Sequence, residues 1–153
     1  MNGFPIRKGC LPVRINEPRQ YPVIAAMESD TLRVLVVEDD AIQAMQIADV
    51  LADLKCEVLG PVTTMQQALQ MLISERLDAI VTDLDLNGRL AFPLTRAGTQ
   101  RGVPIAIITA YSPEFSVSDA PVLEKPCSAE KLRTFLASFL KGIERKRSGE
   151  VAL

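Results

Sequence analysis

Apolar and polar positions along the chain fall into short blocks of two periods. Val34–Val37 is an unbroken apolar run rich in β-branched residues, which predicts a buried strand. Glu38, Asp39 and Asp40 end it. Ala41, Met45, Ala48 and Leu51 then recur at helical spacing, predicting a first helix that buries this stripe. Glu57–Val62 predicts a weaker second strand, broken at Gly60-Pro61. Thr63 and Thr64 are each followed three residues later by glutamine, Gln66 and Gln67, a capping-box signal. Met65, Ala68, Leu69 and Leu72 make the stripe of that second helix.

The third strand is predicted at Ala79–Thr82, closed by Asp83 and by a turn signal at Asn87-Gly88. Leu90–Gln100 reads as a weak helix, disturbed by Pro93 and Gly98. Pro104–Ile108 and Ala120–Leu123 give a fourth and a fifth strand. Ser128 is placed to cap the last helix. Leu132, Phe135, Leu136, Phe139, Leu140 and Ile143 form its apolar face. Lys141, Arg145, Lys146 and Arg147 suit its negative end.

Strands alternating with helices imply an α/β architecture with helices on both faces of a parallel sheet. Five short strands fit a doubly wound, flavodoxin-like sheet of order 2-1-3-4-5. One connection is too short for the pattern. Ala110–Asp119, with Pro113 and three serines, has no room for a full helix and two loops, so a loop or a single helical turn is expected. The folded domain spans residues 31–142. Residues 1–30 lack either period and hold Pro5, Pro12, Pro18 and Pro22 among basic residues, the pattern of a flexible extension. Met27, just before the periodic pattern, offers an alternative start. Residues 143–153 form a short basic tail.

A net charge of -2 over 153 residues gives no charge-driven case for nucleic-acid binding. Cys10, Cys56 and Cys127 show no metal-binding spacing and suit a reduced cytoplasm. Neither a signal peptide nor an apolar run long enough to span a bilayer stands out, so no membrane insertion is expected. The chain has no histidine and cannot donate a phosphoryl group from one of its own.

The candidate chemistry lies where the strands end. A carboxylate closing a buried parallel strand stands at the carboxyl edge of the sheet, where ligands bind in open α/β folds. Glu38 and Asp39 follow the first strand, Asp83 the third, Thr109 the fourth and Lys125 the fifth. Three carboxylates held together repel one another unless a cation joins them, and Mg²⁺ prefers such hard oxygen ligands. Asp83 is the candidate nucleophile for a phosphoryl group. Lys125 and the Thr109 hydroxyl would then contact the phosphoryl oxygens. Singly, each residue has a plainer reading. Asp40 reads as a helix N-cap, as Asp39 could. Thr109 is an ordinary strand end, Lys125-Pro126 an ordinary loop, and Cys127 a small packing residue.

The segments VLVVEDDA, DAIVTDLDLNG, PIAIITA and VLEKP together resemble the receiver domain of two-component response regulators, the CheY-like superfamily. The resemblance runs from Leu32 to about Gly142. It implies that Asp83 takes a phosphoryl group from a histidine of a sensor kinase or phosphotransfer protein. It also implies that Asp39, Asp83 and the backbone carbonyl of Asp85 ligate Mg²⁺, with Glu38 acting mainly through a bound water. Movement of Thr109 would report the modification to a downstream protein. The chain departs from the family pattern in three places. Val122 stands where the fifth strand usually carries an aromatic, with Tyr111 a candidate replacement. The fourth helix is shortened or lost, which puts the usual dimer face in doubt. The loop after Asp83, LDLNGRLAF, lacks the usual proline-aspartate-glycine ending.

The leading expectation is a stand-alone receiver that signals through protein contacts or acts as a phosphate shuttle or sink. It would catalyse only its own phosphorylation and dephosphorylation. Two alternatives remain. DLDLNG also resembles the DxDx(T/V) motif of haloacid-dehalogenase-type phosphatases, with Asp83 as nucleophile and Asp85 as general acid. Against this, Asn87 replaces the expected threonine or valine, and two strand-helix units precede the motif. A pseudo-receiver would keep the fold as a binding module and never be phosphorylated; the complete acidic set argues against it.

Overall fold

Val34 to Val37 are fully buried in β1 (Arg33–Val37), as an unbroken apolar run requires. The structure, a computed structural model, describes residues 30–112 and 119–149. After β1 come α1 (Ala41–Asp53), β2 (Glu57–Val62), α2 (Met65–Ser74) and β3 (Ala79–Thr82). A small hairpin follows, β4 (Asp85–Leu86) and β5 (Arg89–Leu90). Then come α3 (Phe92–Arg101), β6 (Ile105–Thr109), β7 (Val122–Glu124) and α4 (Ala129–Arg147).

The main sheet has five parallel strands in the order β2-β1-β3-β6-β7. With the hairpin set aside, this is the expected flavodoxin-like order 2-1-3-4-5. The two sides of the sheet bury separate cores. Val34, Val36, Val81, Ala106 and Ile108 face α1 and α4. Leu35, Val37, Ile80, Ile105 and Ile107 face α2 and α3. This is the period-2 alternation of a strand with both faces covered.

Local signals explain the helix starts. Asp40, Thr64 and Ser128 each cap a helix, accepting from the N–H of Gln43, Gln67 and Lys131. Gln67 also reaches back, its Oε1 accepting from the N–H of Thr63, the residue before the cap, at 3.1 Å, in a variant of the capping box. α4 buries Leu132, Leu136, Leu140 and Ile143 and runs on through Arg147, with Arg145, Lys146 and Arg147 in its last turn. The face of α1 differs from expectation. Ala44, Ile47 and Leu51 are buried, while Met45 is 64% exposed. Gln43, Gln46, Asp49 and Asp53 form the polar face of this helix, and the stripe of Ala44, Ile47 and Leu51 on the other side packs on the sheet and α4.

The segment after Asp83 is more ordered than a turn. Asn87 and Gly88 both have positive φ, 54° and 79°, as a two-residue hairpin turn demands. They join β4 to β5, and α3 therefore begins at Phe92 rather than Leu90. Pro93 sits in its first turn, where a missing N–H costs nothing. Gly98 lets α3 pack close to β6, since a Cβ there would lie 2.5 Å from Ile105 Cδ1 and the Ile105 side chain would have to shift.

The expected N-terminal extension lies outside the described residues except for Asp30. The expected loop at Ala110–Asp119 lies outside them at residues 113–118. A groove of about 1630 Å³ between α3 and α4, lined in part by Phe92, Val103, Phe135 and Phe139, reaches the amino edge of the sheet at Pro104 and Pro121.

The Gly60-Pro61 signal does not end β2. Between the pairs Leu35–Leu59 and Val37–Val62, β1 advances two residues and β2 three, so the extra residue makes a bulge. Gly60 has φ +85°, and a Cβ there would stand 2.8 Å from Val62 N and 2.9 Å from Val36 O. Both neighbours are backbone and cannot turn aside. Gly60→Ala is expected to lower the unfolding free energy by about 2–4 kcal/mol, combining a left-handed backbone with overpacking. Urea unfolding measures it, and an unchanged midpoint would refute the close approach.

Candidate functional site

The sheet ladder extends one residue past each strand and so sets the site. The Glu38 N–H donates to Val62 O at 3.0 Å, the Asp83 N–H to Val37 O at 3.0 Å, and the Lys125 N–H to Thr109 O at 2.7 Å. Three backbones are thereby fixed against neighbouring strands at the carboxyl edge. The structure brings Glu38, Asp83 and Lys125 into direct contact, with Asp39 alongside. Asp40 turns away to cap α1.

Charge organises the centre. Lys125 Nζ donates to Asp83 Oδ2 at 2.8 Å and to Glu38 Oε2 at 2.9 Å. Glu38 Oε1 accepts from the Asp40 N–H at 3.1 Å, and Asp83 Oδ1 from the Asp85 N–H at 3.1 Å. Glu38 is only 1% exposed and Asp83 9%, so neither relies mainly on water. Burial pushes the Glu38 carboxyl above its ordinary value, although its bond to Lys125 opposes the rise. Burial also works against the Lys125 ammonium. Its hydrogen bonds to Asp83 and Glu38 outweigh that and hold it above the ordinary lysine value.

One carboxylate oxygen from each of Glu38, Asp39 and Asp83 lies within 4.8 Å of the others. One ammonium against three carboxylates leaves a surplus of negative charge. Hard oxygen donors, a negative surplus and an open side at Asp39 fit Mg²⁺. The side chain of Asp85 stands outside that cluster. Its Oδ1 accepts from the Gly88 N–H at 2.7 Å and its Oδ2 from the Tyr111 hydroxyl at 3.2 Å.

Thr109 is 2% exposed at the end of β6. Its Oγ1 accepts from the Tyr111 N–H at 3.2 Å. Val122, where an aromatic was the family expectation, is half-buried on β7 beside Ile107.

Asn87 was read only as a turn residue, yet it binds the site. Its N–H donates to Asp39 Oδ2 at 3.0 Å, and its side-chain Nδ2 to Thr63 O at 3.1 Å. The Asn-Gly pair flanked by leucines was the available signal for this hairpin. Tyr111 is 41% exposed, and its hydrogen bond to Asp85 raises its phenol above the ordinary value. Among the described residues Cys56 and Cys127 are free thiols. Cys127 packs against the core under α4. Burial, with Glu144 and Asp78 nearby, pushes Cys56 up to about 11, which suits an inert packing residue. No helix of the described residues is long and apolar enough to cross a membrane.

Comparison with known proteins agrees with this geometry. No curated protein matches the chain. Among solved structures, the signal receiver domain of a putative Luxo repressor protein from Vibrio parahaemolyticus is 25% identical. The match covers 80% of this chain and 99% of that one, with a TM-score of 0.69. SdrG from Sphingomonas melonis Fr1 is 30% identical over 73% of this chain and 98% of that one, with a TM-score of 0.61. The PhyR response regulator REC domain of Erythrobacter litoralis is 26% identical over 72% and 91%, with a TM-score of 0.63. The family model described as the response regulator receiver domain matches residues 34–137. That span includes every strand end that builds the acidic site, and the chain belongs to the response regulator receiver domain family.

Proposed function

We propose that Asp83 accepts a phosphoryl group from a phosphohistidine of a sensor kinase or phosphotransfer protein, in a Mg²⁺-dependent reaction. The observation that carries this reading is the joint hold of Lys125 on Asp83 and Glu38 beside Asp39. An Asp83 carboxylate oxygen attacks phosphorus, and the phosphorus–nitrogen bond of the donor breaks. The imidazole nitrogen keeps that electron pair, and an acyl phosphate forms on Asp83. Glu38, Asp39, Asp83 and the Asp85 carbonyl would hold a bound Mg²⁺, whose charge would offset that of the phosphoryl oxygens. Lys125, already bonded to Asp83, is close enough to follow the phosphoryl group, and the Thr109 hydroxyl at the end of the neighbouring strand would donate to it.

The chain then acts on a downstream protein through its changed surface, or passes phosphate on as a shuttle or sink. It turns over no external substrate. Its half-buried free thiols suit a reduced cytoplasm. The phosphatase alternative has less support, because Asp85, its general acid, commits its carboxylate to Gly88 and Tyr111.

Asp83→Asn is expected to abolish the one-phosphoryl mass increase seen after incubation with acetyl phosphate and Mg²⁺. Unchanged incorporation would put the phosphoryl group elsewhere and reject the assignment, whereas no incorporation in the native chain would leave the non-phosphorylated alternative. Asp39→Asn should weaken Mg²⁺ binding by at least about tenfold, roughly the loss of one charged ligand. Titration calorimetry reads this directly, and equal affinities would count against the acidic cluster as the metal site.

Lys125→Met should remove the bond that keeps Glu38 from rising further. A carboxyl raised in the folded state contributes stability below its unfolded pKa and loses it as pH rises through the folded value. With divalent cations chelated, the variant should therefore lose stability more steeply than the native chain as pH rises above the ordinary carboxylate range. Parallel urea midpoints over that rise in pH would contradict the pairing.

A further inference from the structure

We propose that Asn87 is a positioning residue that orients the Asp39 carboxylate for a bound cation and couples the filling of that site to the β2–α2 connection. The inference rests on the Mg²⁺ part of the proposed function and names the residue that carries metal binding to another part of the domain.

β1 and β2 part at the acidic edge. Their last rung is the Glu38 N–H on Val62 O at 3.0 Å. One residue further on, Asp39 leads toward α1 and Thr63 toward α2. Asn87 joins these two residues beyond the end of the ladder. Its N–H donates to Asp39 Oδ2 at 3.0 Å, and its side-chain Nδ2 donates to Thr63 O at 3.1 Å. It lies 48 residues from Asp39 and 24 from Thr63 in sequence, so this clamp forms only with the folded sheet.

Both ends of the clamp are fixed in direction. Asn87 has φ 54°, a left-handed backbone that asparagine accepts more readily than most residues. Gly88 follows with φ 79°, and its N–H is held on Asp85 Oδ1 at 2.7 Å. At the other end, the Thr63 N–H donates to Gln67 Oε1 at 3.1 Å, and Thr64 caps α2. The link therefore runs from a carboxylate of the acidic cluster, through one side chain, to the first turn of α2.

A carboxylate held by an amide keeps one orientation, so less freedom is lost when it takes up a cation. The N–H dipole also offsets part of the negative surplus without a full positive charge that would exclude the cation. Coupling of this kind is reciprocal. A clamp that raises affinity for the cation is itself tightened by the cation, by the same factor. Filling of the metal site is then felt at Thr63, beside the edge strand β2, on the opposite side of the sheet order from Thr109.

Asn87→Gly keeps the backbone N–H and accepts the positive φ, but removes the bond to Thr63. In the full chain it should weaken Mg²⁺ binding by about tenfold in titration calorimetry, the scale for losing a group that orients a ligand. Saturating Mg²⁺ should slow hydrogen exchange at the Thr63 and Asn87 amides of the native chain by up to about tenfold, and should leave Thr63 unchanged in the variant. A residue that only stabilises the turn would alter exchange without metal, yet leave Mg²⁺ affinity equal in the two chains, and equal affinities overturn the proposal. Faster exchange of the Asn87 amide on adding Mg²⁺ also overturns it, because the cation would then displace that amide from Asp39. A native chain that binds no Mg²⁺ rejects the metal reading itself, whereas native binding that the variant matches rejects only the role of Asn87.

Discussion

A single ammonium stands between two carboxylates that no other side chain among the described residues pairs with. Lys125 Nζ reaches both Asp83 and Glu38 within 2.9 Å. Glu38 is almost wholly buried, and an uncompensated carboxylate there would cost several kcal/mol. The arrangement is tenable because each acidic oxygen at the centre has a donor. Lys125 serves one oxygen of each residue, and the amides of Asp40 and Asp85 serve the others. Among the described residues no buried side-chain polar atom lacks a partner. That satisfaction depends on backbone placement. The last rungs of the sheet ladder fix Glu38, Asp83 and Lys125 before any side chain is considered. Long-range parallel pairing is therefore what makes the charge cluster affordable.

The same dependence explains what could be seen in the chain alone. Glu38, Asp39, Asp83, Thr109 and Lys125 were legible because each closes an apolar run, and closing a parallel strand means standing at one edge. β3 was legible to the residue, since Ala79–Thr82 is buried on both faces. Caps at Asp40, Thr64 and Ser128 were legible from residue type and spacing. Side-chain phase on α1 was misread, because Met45 is as apolar as Ile47 and fits the spacing, although the polar positions Gln43, Gln46, Asp49 and Asp53 mark the outward face. The role of Gly60 was hidden for a related reason. It looks like a break, yet the position demands an absent Cβ because Val36 O presses against it.

Asn87 shows the limit most clearly. Its contribution to the site comes from a backbone N–H, which every residue except proline possesses. No residue type announces that this particular amide points at Asp39. Only the positive φ of Asn87 and Gly88 brings it round, and that follows from a hairpin too short to leave a periodic signature. Tyr111 was visible as an unplaced aromatic, but its partner lies far away in sequence at Asp85.

The site consequently has two parts of different stiffness. Its floor consists of residues at the ends of buried strands, tied to their neighbours by ladder bonds that open only with the sheet itself. Its roof consists of exposed residues held by a few single hydrogen bonds. A nucleophile needs the stiff part, since Asp83 must face Lys125 at a fixed distance whatever arrives. On the proposed reading, exchange of a phosphoryl group with another protein would need the soft part, because a buried carboxylate has to become reachable and then be covered again. Of the departures from the family pattern, the loop after Asp83 falls in that soft part and Val122 lies on β7, while the acidic set, threonine and lysine of the floor keep the family pattern. Changing a tether of the roof removes a single hydrogen bond at an exposed position, whereas changing the floor leaves a buried charge without its partner.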